Sequence, residues 1–200
     1  FLIDTALPTI GLRRGIRHHA SRLRRYFFEA CCEKTVKHLY NHPCVCCYTI
    51  FNEGWGQFDA NNCYRHFKGL DSTRVYDTAS GWFKTKLSDV ESEHVYFKKI
   101  KLKPRNRPLV LSEFGGYSYI VKDHSFNLNN NYGYGSFNNK QDFESQFVKL
   151  YEEQVIEQIN NGLNATVYTQ VSDVEDETNG LLTYDRKVLK VNPERIKKLF

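Results

Sequence analysis

Two segments of the 200-residue chain end an apolar run in a carboxylate and pass at once into glycine. One reads Tyr48-Thr49-Ile50-Phe51-Asn52-Glu53-Gly54-Trp55-Gly56, the other Leu109-Val110-Leu111-Ser112-Glu113-Phe114-Gly115-Gly116. A glutamate at the carboxyl end of a parallel strand faces the crevice where barrels and doubly wound sheets bind ligands, and adjoining glycines let a ligand approach the backbone. Cleaving a glycosidic bond with retention needs such a pair: one carboxylic acid to protonate the leaving oxygen, and one carboxylate roughly 5 Å away to attack the anomeric carbon. Burial and mutual repulsion separate the two pKa values, so two glutamates can serve as acid and nucleophile at one pH. On pattern alone, an ordinary solvent-facing strand end is the alternative at each position.

The surrounding elements must place these residues. Residues 1–8 read as a short apolar strand meeting Pro8 and a turn at Gly11. Over residues 20–40, Leu23, Phe27, Ala30, Cys31, Val36 and Leu39 roughly follow helical spacing and predict a helix ending before Asn41-His42-Pro43. Residues 44–51 form an apolar run too short for an ordinary helix, which fits a strand covered on both faces. Short strands are predicted again at 73–78, 93–97, 109–112 and 163–169. Before the last of them, Phe143, Phe147, Leu150, Tyr151, Ile156 and Ile159 predict a helix that stops at Asn161-Gly162. Residues 123–139, rich in Asn, Gly, Tyr and Phe, read as a long ordered loop with aromatic anchors over the active face. Alternating strands and helices imply an α/β fold with parallel strands, either an open doubly wound sheet or a closed barrel.

Composition narrows the class of partner. Hydrophobic residues make up 40% of the chain, enough to bury a core, and the net charge of +5 is too mild to indicate nucleic acid or a membrane surface. No run approaches the roughly 18 apolar residues of a membrane span. Arg13, Arg14, Arg17, Arg22, Arg24 and Arg25 cluster with no acidic residue between Asp4 and Glu29. No interleaved aromatic pattern of an RNA-binding motif accompanies them, so they read as a solvated outer face. All six cysteines (Cys31, Cys32, Cys44, Cys46, Cys47 and Cys63) lie in the first third, unlike a spaced disulfide framework, so reduced thiols and a cytoplasmic protein are expected. Cys44 and Cys46 are expected on one face of a buried strand, and no second ligand pair follows at zinc spacing, so neither metal nor cofactor is expected. The chain has no Met, and residue 1 is expected not to be the native start.

Several segments together resemble a known family. Asn41-His42-Pro43 through Phe51-Asn52-Glu53-Gly54-Trp55-Gly56-Gln57-Phe58-Asp59 resembles the acid/base strand of glycoside hydrolase family 2, which includes β-galactosidases, β-glucuronidases and β-mannosidases. Asp71-Ser72-Thr73-Arg74 with Asp77-Thr78-Ala79-Ser80-Gly81-Trp82 is similar to the next strand, and Asp89 through His94-Val95-Tyr96 to the one carrying the family's His and Tyr. Leu111-Ser112-Glu113-Phe114-Gly115-Gly116 is similar to the nucleophile strand, and Tyr168-Thr169-Gln170 through Gly180-Leu181 to the final strand and loop.

The resemblance implies a (β/α)8 TIM barrel, with residues 1–200 forming a partial catalytic barrel that begins at its third strand and lacks the preceding strands and β-sandwich domains. It implies Glu53 as general acid/base, Glu113 as nucleophile, and Asn52 as hydrogen-bonding the sugar 2-hydroxyl. It further implies His94 and Tyr96 beside Glu113, Trp55 and Trp82 as aromatic faces for sugar rings or as packed core, and Gln170 in reach of the sugar. Gln170, Asp173 and Glu175 are read either as sugar contacts or as capping or solvated residues. The implied activity is that of a retaining β-glycosidase acting on a carbohydrate substrate, β-galactoside-like. Glucuronides are disfavoured because Thr183-Tyr184-Asp185-Arg186-Lys187 lacks an Asn-x-Lys pair. A catalytically silent carbohydrate-binding or assembly module with the same fold is the competing reading. The 200 residues alone are expected to be inactive or poorly folded, because missing strands leave open sheet edges.

Overall fold

The structure, a computed structural model, describes residues 2–4, 22–54 and 56–199, with only the backbone for residues 2–4. Trp55, Arg13, Arg14, Arg17 and the turn at Gly11 lie outside the described residues. The chain divides into two compact units, Phe1–Glu93 with Arg105–Val110, and His94–Pro104 with Leu111–Phe200.

In the first unit, strands β1 (Leu2–Asp4), β2 (Cys47–Asn52) and β3 (Val75–Ser80) form a parallel sheet in that order, with helix α1 (Arg22–Leu39) before β2 and α2 (Ala60–Leu70) before β3. Four consecutive residues of β2, Tyr48 to Phe51, are buried, as expected for a strand covered on both faces. The strand starts later than expected. Pairing with both neighbours begins at Cys47, whereas Cys44 and Cys46 are exposed in the turn after Pro43, where the Val45 amide donates to the His42 carbonyl at 3.0 Å. The inward face of α1 follows the expected stripe at Val36, with Leu39 packed against the core, but is one residue away from it in the first turns. Phe28, Cys32 and Val36 are buried, while Leu23, Phe27 and Cys31 face solvent. The run Tyr26-Phe27-Phe28 offers more than one aromatic edge, and packing selects Phe28, whose ring stacks on Phe51 at 5.2 Å and meets Phe58 edge-on at 5.5 Å. Strand β3 begins two residues late because Asp71 first closes a turn, accepting from the Thr73 amide at 2.9 Å.

A buried carboxylate organises the edge of this unit. Glu91 is 3% exposed and accepts from Lys84 Nζ at 2.5 Å and Arg107 Nη2 at 2.7 Å. Burial alone raises such a carboxyl, but the Lys84 and Arg107 hydrogen bonds hold it below the ordinary glutamate value of 4.5. A group with a depressed folded pKa stabilises fully above its unfolded pKa and loses that contribution as pH falls through the folded value. Urea midpoints of the parent are therefore expected to fall as pH drops below 4.5. Glu91→Gln should be destabilised by about 1–3 kcal/mol at pH 7, since Lys84 and Arg107 are partly solvated, and should vary less with pH over that window. Equal pH slopes for parent and variant would remove Glu91 from this role.

Strands β4 (Glu91–Val95) and β5 (Leu109–Gly115) begin in the first unit and run into the second, where a sheet is ordered β4, β5, β8 (Leu163–Thr169). Two shorter strands, β6 (Tyr117–Tyr119) and β7 (Gly135–Phe137), pair in parallel, so the Asn-rich span expected to be an ordered loop carries a strand of its own. Helix α3 (Lys140–Leu150) continues through a π-helical turn (Tyr151–Val155) into α4 (Ile156–Asn160), and Asn161 caps it. Phe143, Phe147, Leu150 and Tyr151 are buried as expected, but Ile159 is exposed and Gln158 is buried. The π turn inserts an extra residue and rotates the later positions. Gln154 and Gln158 thereby accept from the backbone amides of Ile100 and Leu102, both at 2.9 Å. The loop after β8 is pinned by a buried ion pair: Lys190 Nζ donates to Asp173 Oδ1 at 2.7 Å and to the carbonyls of Tyr119 and Thr178. Asp173 is thus a structural anchor, while Glu175 is exposed. A five-residue helix, α5 (Pro193–Lys197), follows. No helix among the described residues is long and apolar enough to cross a membrane.

Candidate active site

In the first unit, β2 delivers Asn52 and Glu53 at its carboxyl end, both half-buried. The Glu53 amide donates to the Ser80 carbonyl at 2.9 Å, so pairing with β3 holds the backbone up to this residue. There the chain turns sharply: Glu53 adopts φ 52 and Gly54 φ 77. The left-handed region costs a glutamate about 1–3 kcal/mol and is retained where surrounding structure re-aims a functional side chain. Gly54 is required for a second reason, since a Cβ there would lie 2.2 Å from the Phe83 ring. Gln57 Nε2 ties the turn to the Phe83 carbonyl at 3.0 Å. Trp82 is 57% exposed, so it is not part of the packed core.

In the second unit, β5 presents Glu113 between two buried neighbours, Ser112 and Phe114. Phe114 is fully buried, with Tyr151 and Tyr168 edge-on at 5.7 and 5.6 Å, and this anchor leaves Glu113 on the opposite side of the strand. Gly115, at φ 81, lies so close to the Tyr168 ring that a Cβ would meet it at 2.2 Å. Two residues from β4 and the chain just beyond it converge on Glu113. His94, whose side chain is fully buried, places Nδ1 3.5 Å from Glu113 Oε2, and the Tyr96 hydroxyl donates a short hydrogen bond to the same oxygen. The Tyr96 hydroxyl also lies 3.0 Å from Thr169 Oγ1. Burial, then the charge of Glu113, push the Tyr96 phenol far above its ordinary value, so it stays protonated and remains a donor. A carboxylate that accepts from a fixed hydroxyl is held in one orientation, which suits a nucleophile.

The second unit thus brings together three of the residues singled out from sequence: Glu113, His94 and Tyr96. The amide nitrogen of Gln170 instead donates to Glu177 and Asn179 within its own loop. Thr169, beside Gln170 on β8, is a partner that sequence reasoning passed over. It lay within the final-strand segment, but a threonine there has no distinctive spacing.

No family model and no curated relative matches the chain. Solved structures do match its fold. A β-D-glucuronidase from Dictyoglomus thermophilum superposes with a TM-score of 0.59 at 14% identity, covering 86% of this chain and 34% of that one. A Faecalibacterium prausnitzii β-glucuronidase gives 0.55 at 14% identity with the same coverages. A family GH2 β-galacturonidase from Eisenbergiella tayi, bound to galacturonate, gives 0.53 at 15% identity, covering 82% of this chain and 36% of that one. The fold is shared with part of these glycoside hydrolases. The chain spans about a third of the length of the enzymes it matches, so its fold corresponds to a portion of theirs.

Proposed function

We propose that the chain carries both catalytic carboxylates of a retaining β-glycosidase built on a (β/α)8 barrel, of which residues 1–200 supply the later strands. Glu113 attacks the anomeric carbon and forms a glycosyl-enzyme ester, and Glu53 protonates the departing oxygen and then activates water. The observation that carries the proposal is the setting of Glu113: a strand-end carboxylate held by the hydroxyl of Tyr96, with His94 at 3.5 Å. The left-handed turn at Glu53 supports the second role. Asn52 bonds the sugar 2-hydroxyl, and Trp82 offers an aromatic face to the ring. The mechanism requires the two carboxyl groups to stand about 5 Å apart across one anomeric centre.

For the sugar, a β-galactoside is the default, from its frequency in the family that the sequence resembles. The uronide-cleaving enzymes that share the fold favour a second reading, a β-glucuronide or β-galacturonide, against which stands the absence of an Asn-x-Lys pair in residues 183–187. A panel of nitrophenyl β-glycosides, neutral and uronic, offered to the full-length protein decides between them. Proton NMR of the first product formed is expected to give the β anomer, from net retention. An α product would remove Glu113 from the nucleophile's role, and sugar binding without hydrolysis on the whole panel would leave a carbohydrate-binding module.

A further inference from the structure

The Asn-rich span between β6 and β7 is fastened at its middle and at the end that leads into β7. Asn127 Nδ2 and Asn130 Nδ2 donate to the two carboxylate oxygens of Asp176, at 3.1 and 2.6 Å. Nearby, the Tyr132 amide donates to the Asp176 carbonyl at 2.7 Å, and the Thr178 amide to the Tyr132 carbonyl at 3.1 Å. Two residues on, the Tyr134 amide donates to the Gly116 carbonyl at 2.8 Å, immediately after the Glu113 strand. Gly116 has φ 64, and a Cβ on it would lie 2.4 Å from the Tyr134 ring, so that ring is seated directly against the backbone. Its other neighbour is Tyr96: the two rings stack with centroids 3.7 Å apart and planes 10° from parallel. Phe97 and Tyr132 close on Tyr134 edge-on at 5.1 and 5.5 Å.

We propose that Tyr134 is a positioning residue, holding the Tyr96 ring by stacking so that its hydroxyl stays aimed at Glu113, with the Asp176-fastened loop as the clamp that keeps Tyr134 in place. A phenol turns about two side-chain torsions, and both must be fixed for its hydroxyl to stay on one carboxylate oxygen. Thr169 restrains the hydroxyl end, and the Tyr134 face restrains the ring. The ring face, not the Tyr134 hydroxyl, does this, so phenylalanine should replace it. The catalytic consequence rests on the glycosidase reading, whereas the positioning itself does not.

The test uses proton NMR of the full-length protein together with steady-state kinetics. The Tyr96 hydroxyl proton, bonded to a carboxylate, is expected as a downfield resonance, assigned by its loss in Tyr96→Phe. Tyr134→Ala should lose this resonance to exchange with water and lower kcat about tenfold to a hundredfold with KM little changed, the pattern of a misplaced reacting group. Tyr134→Phe should restore both. Asp176→Ala, which leaves Tyr134 in the chain but unfastens its loop, should speed exchange of the same proton, and it serves where Tyr134→Ala does not fold. Persistence of the resonance in Tyr134→Ala, an unchanged exchange rate in Asp176→Ala, or failure of Tyr134→Phe to rescue would overturn the inference. A resonance that behaves as expected in a protein that turns over no β-glycoside upholds the positioning role and counts against the glycosidase reading alone.

Discussion

Glu113→Ala in the full-length protein is expected to lower kcat for an activated aryl β-glycoside by at least about 10⁴-fold, some 5 kcal/mol of transition-state stabilisation. The methyl group cannot form the ester, and water has no carboxylate on that face to activate it. The vacated space admits a small anion, so azide should restore turnover and yield an α-glycosyl azide by a single displacement. Tyr96 and His94 flank the vacated position, and Tyr96 still offers its hydroxyl there. A β-glycosyl azide, or a loss below about tenfold, would assign the nucleophile elsewhere.

Glu53→Ala should behave differently, and the contrast separates the two roles. For substrates with poor leaving groups, kcat/KM is expected to fall about 10²–10⁴-fold, because the departing oxygen is no longer protonated. A dinitrophenyl glycoside needs no protonation, so its first step should survive, while hydrolysis of the glycosyl-enzyme slows for want of a base. Azide should then attack the intermediate on the open face and give a β-glycosyl azide, and the basic limb of the pH profile should vanish. Equal losses on good and poor leaving groups would show that the left-handed turn at Glu53 matters to folding and not to proton transfer.

How far the placement of these residues could be read from the chain alone differs from residue to residue. Both glutamates were legible because a strand that ends in Glu-Gly or Glu-Phe-Gly-Gly combines three local signals: an apolar run, a charge and a turn. His94 and Tyr96 were legible only through a resemblance, since nothing in their spacing marks them as partners of Glu113, 17 residues beyond Tyr96. Tyr134 was not legible, because its placement depends on docking of the Asn-rich span onto residues 176–178 and Gly116, contacts fixed by tertiary packing and not by periodicity. The same limit explains the errors in the elements. The continuous apolar run in β2 identified a covered strand but not where pairing starts. Helical spacing in α1 fixed a helix and its later inward positions Val36 and Leu39 but not Phe28 and Cys32, and the π turn shifted Ile159 outward by a local irregularity that no regular repeat predicts. Helix α2, missed from sequence, buries Ala60, Cys63 and Phe67 at positions i, i+3 and i+7, a stripe too short to stand out beside the motif that precedes it.

The central assignment, a covalent glycosyl-enzyme on Glu113, is open to one direct measurement. The full-length protein is incubated with 2-deoxy-2-fluoro β-glycosides of galactose and of the uronic acids, whose activated leaving groups let the ester form while the fluorine slows its hydrolysis. Mass spectrometry of the digested protein then locates the sugar. The predicted result is a single label on the peptide containing Glu113, esterified at that residue. A sugar on any other side chain, or steady turnover of the parent β-glycoside with no trapped species, would contradict it.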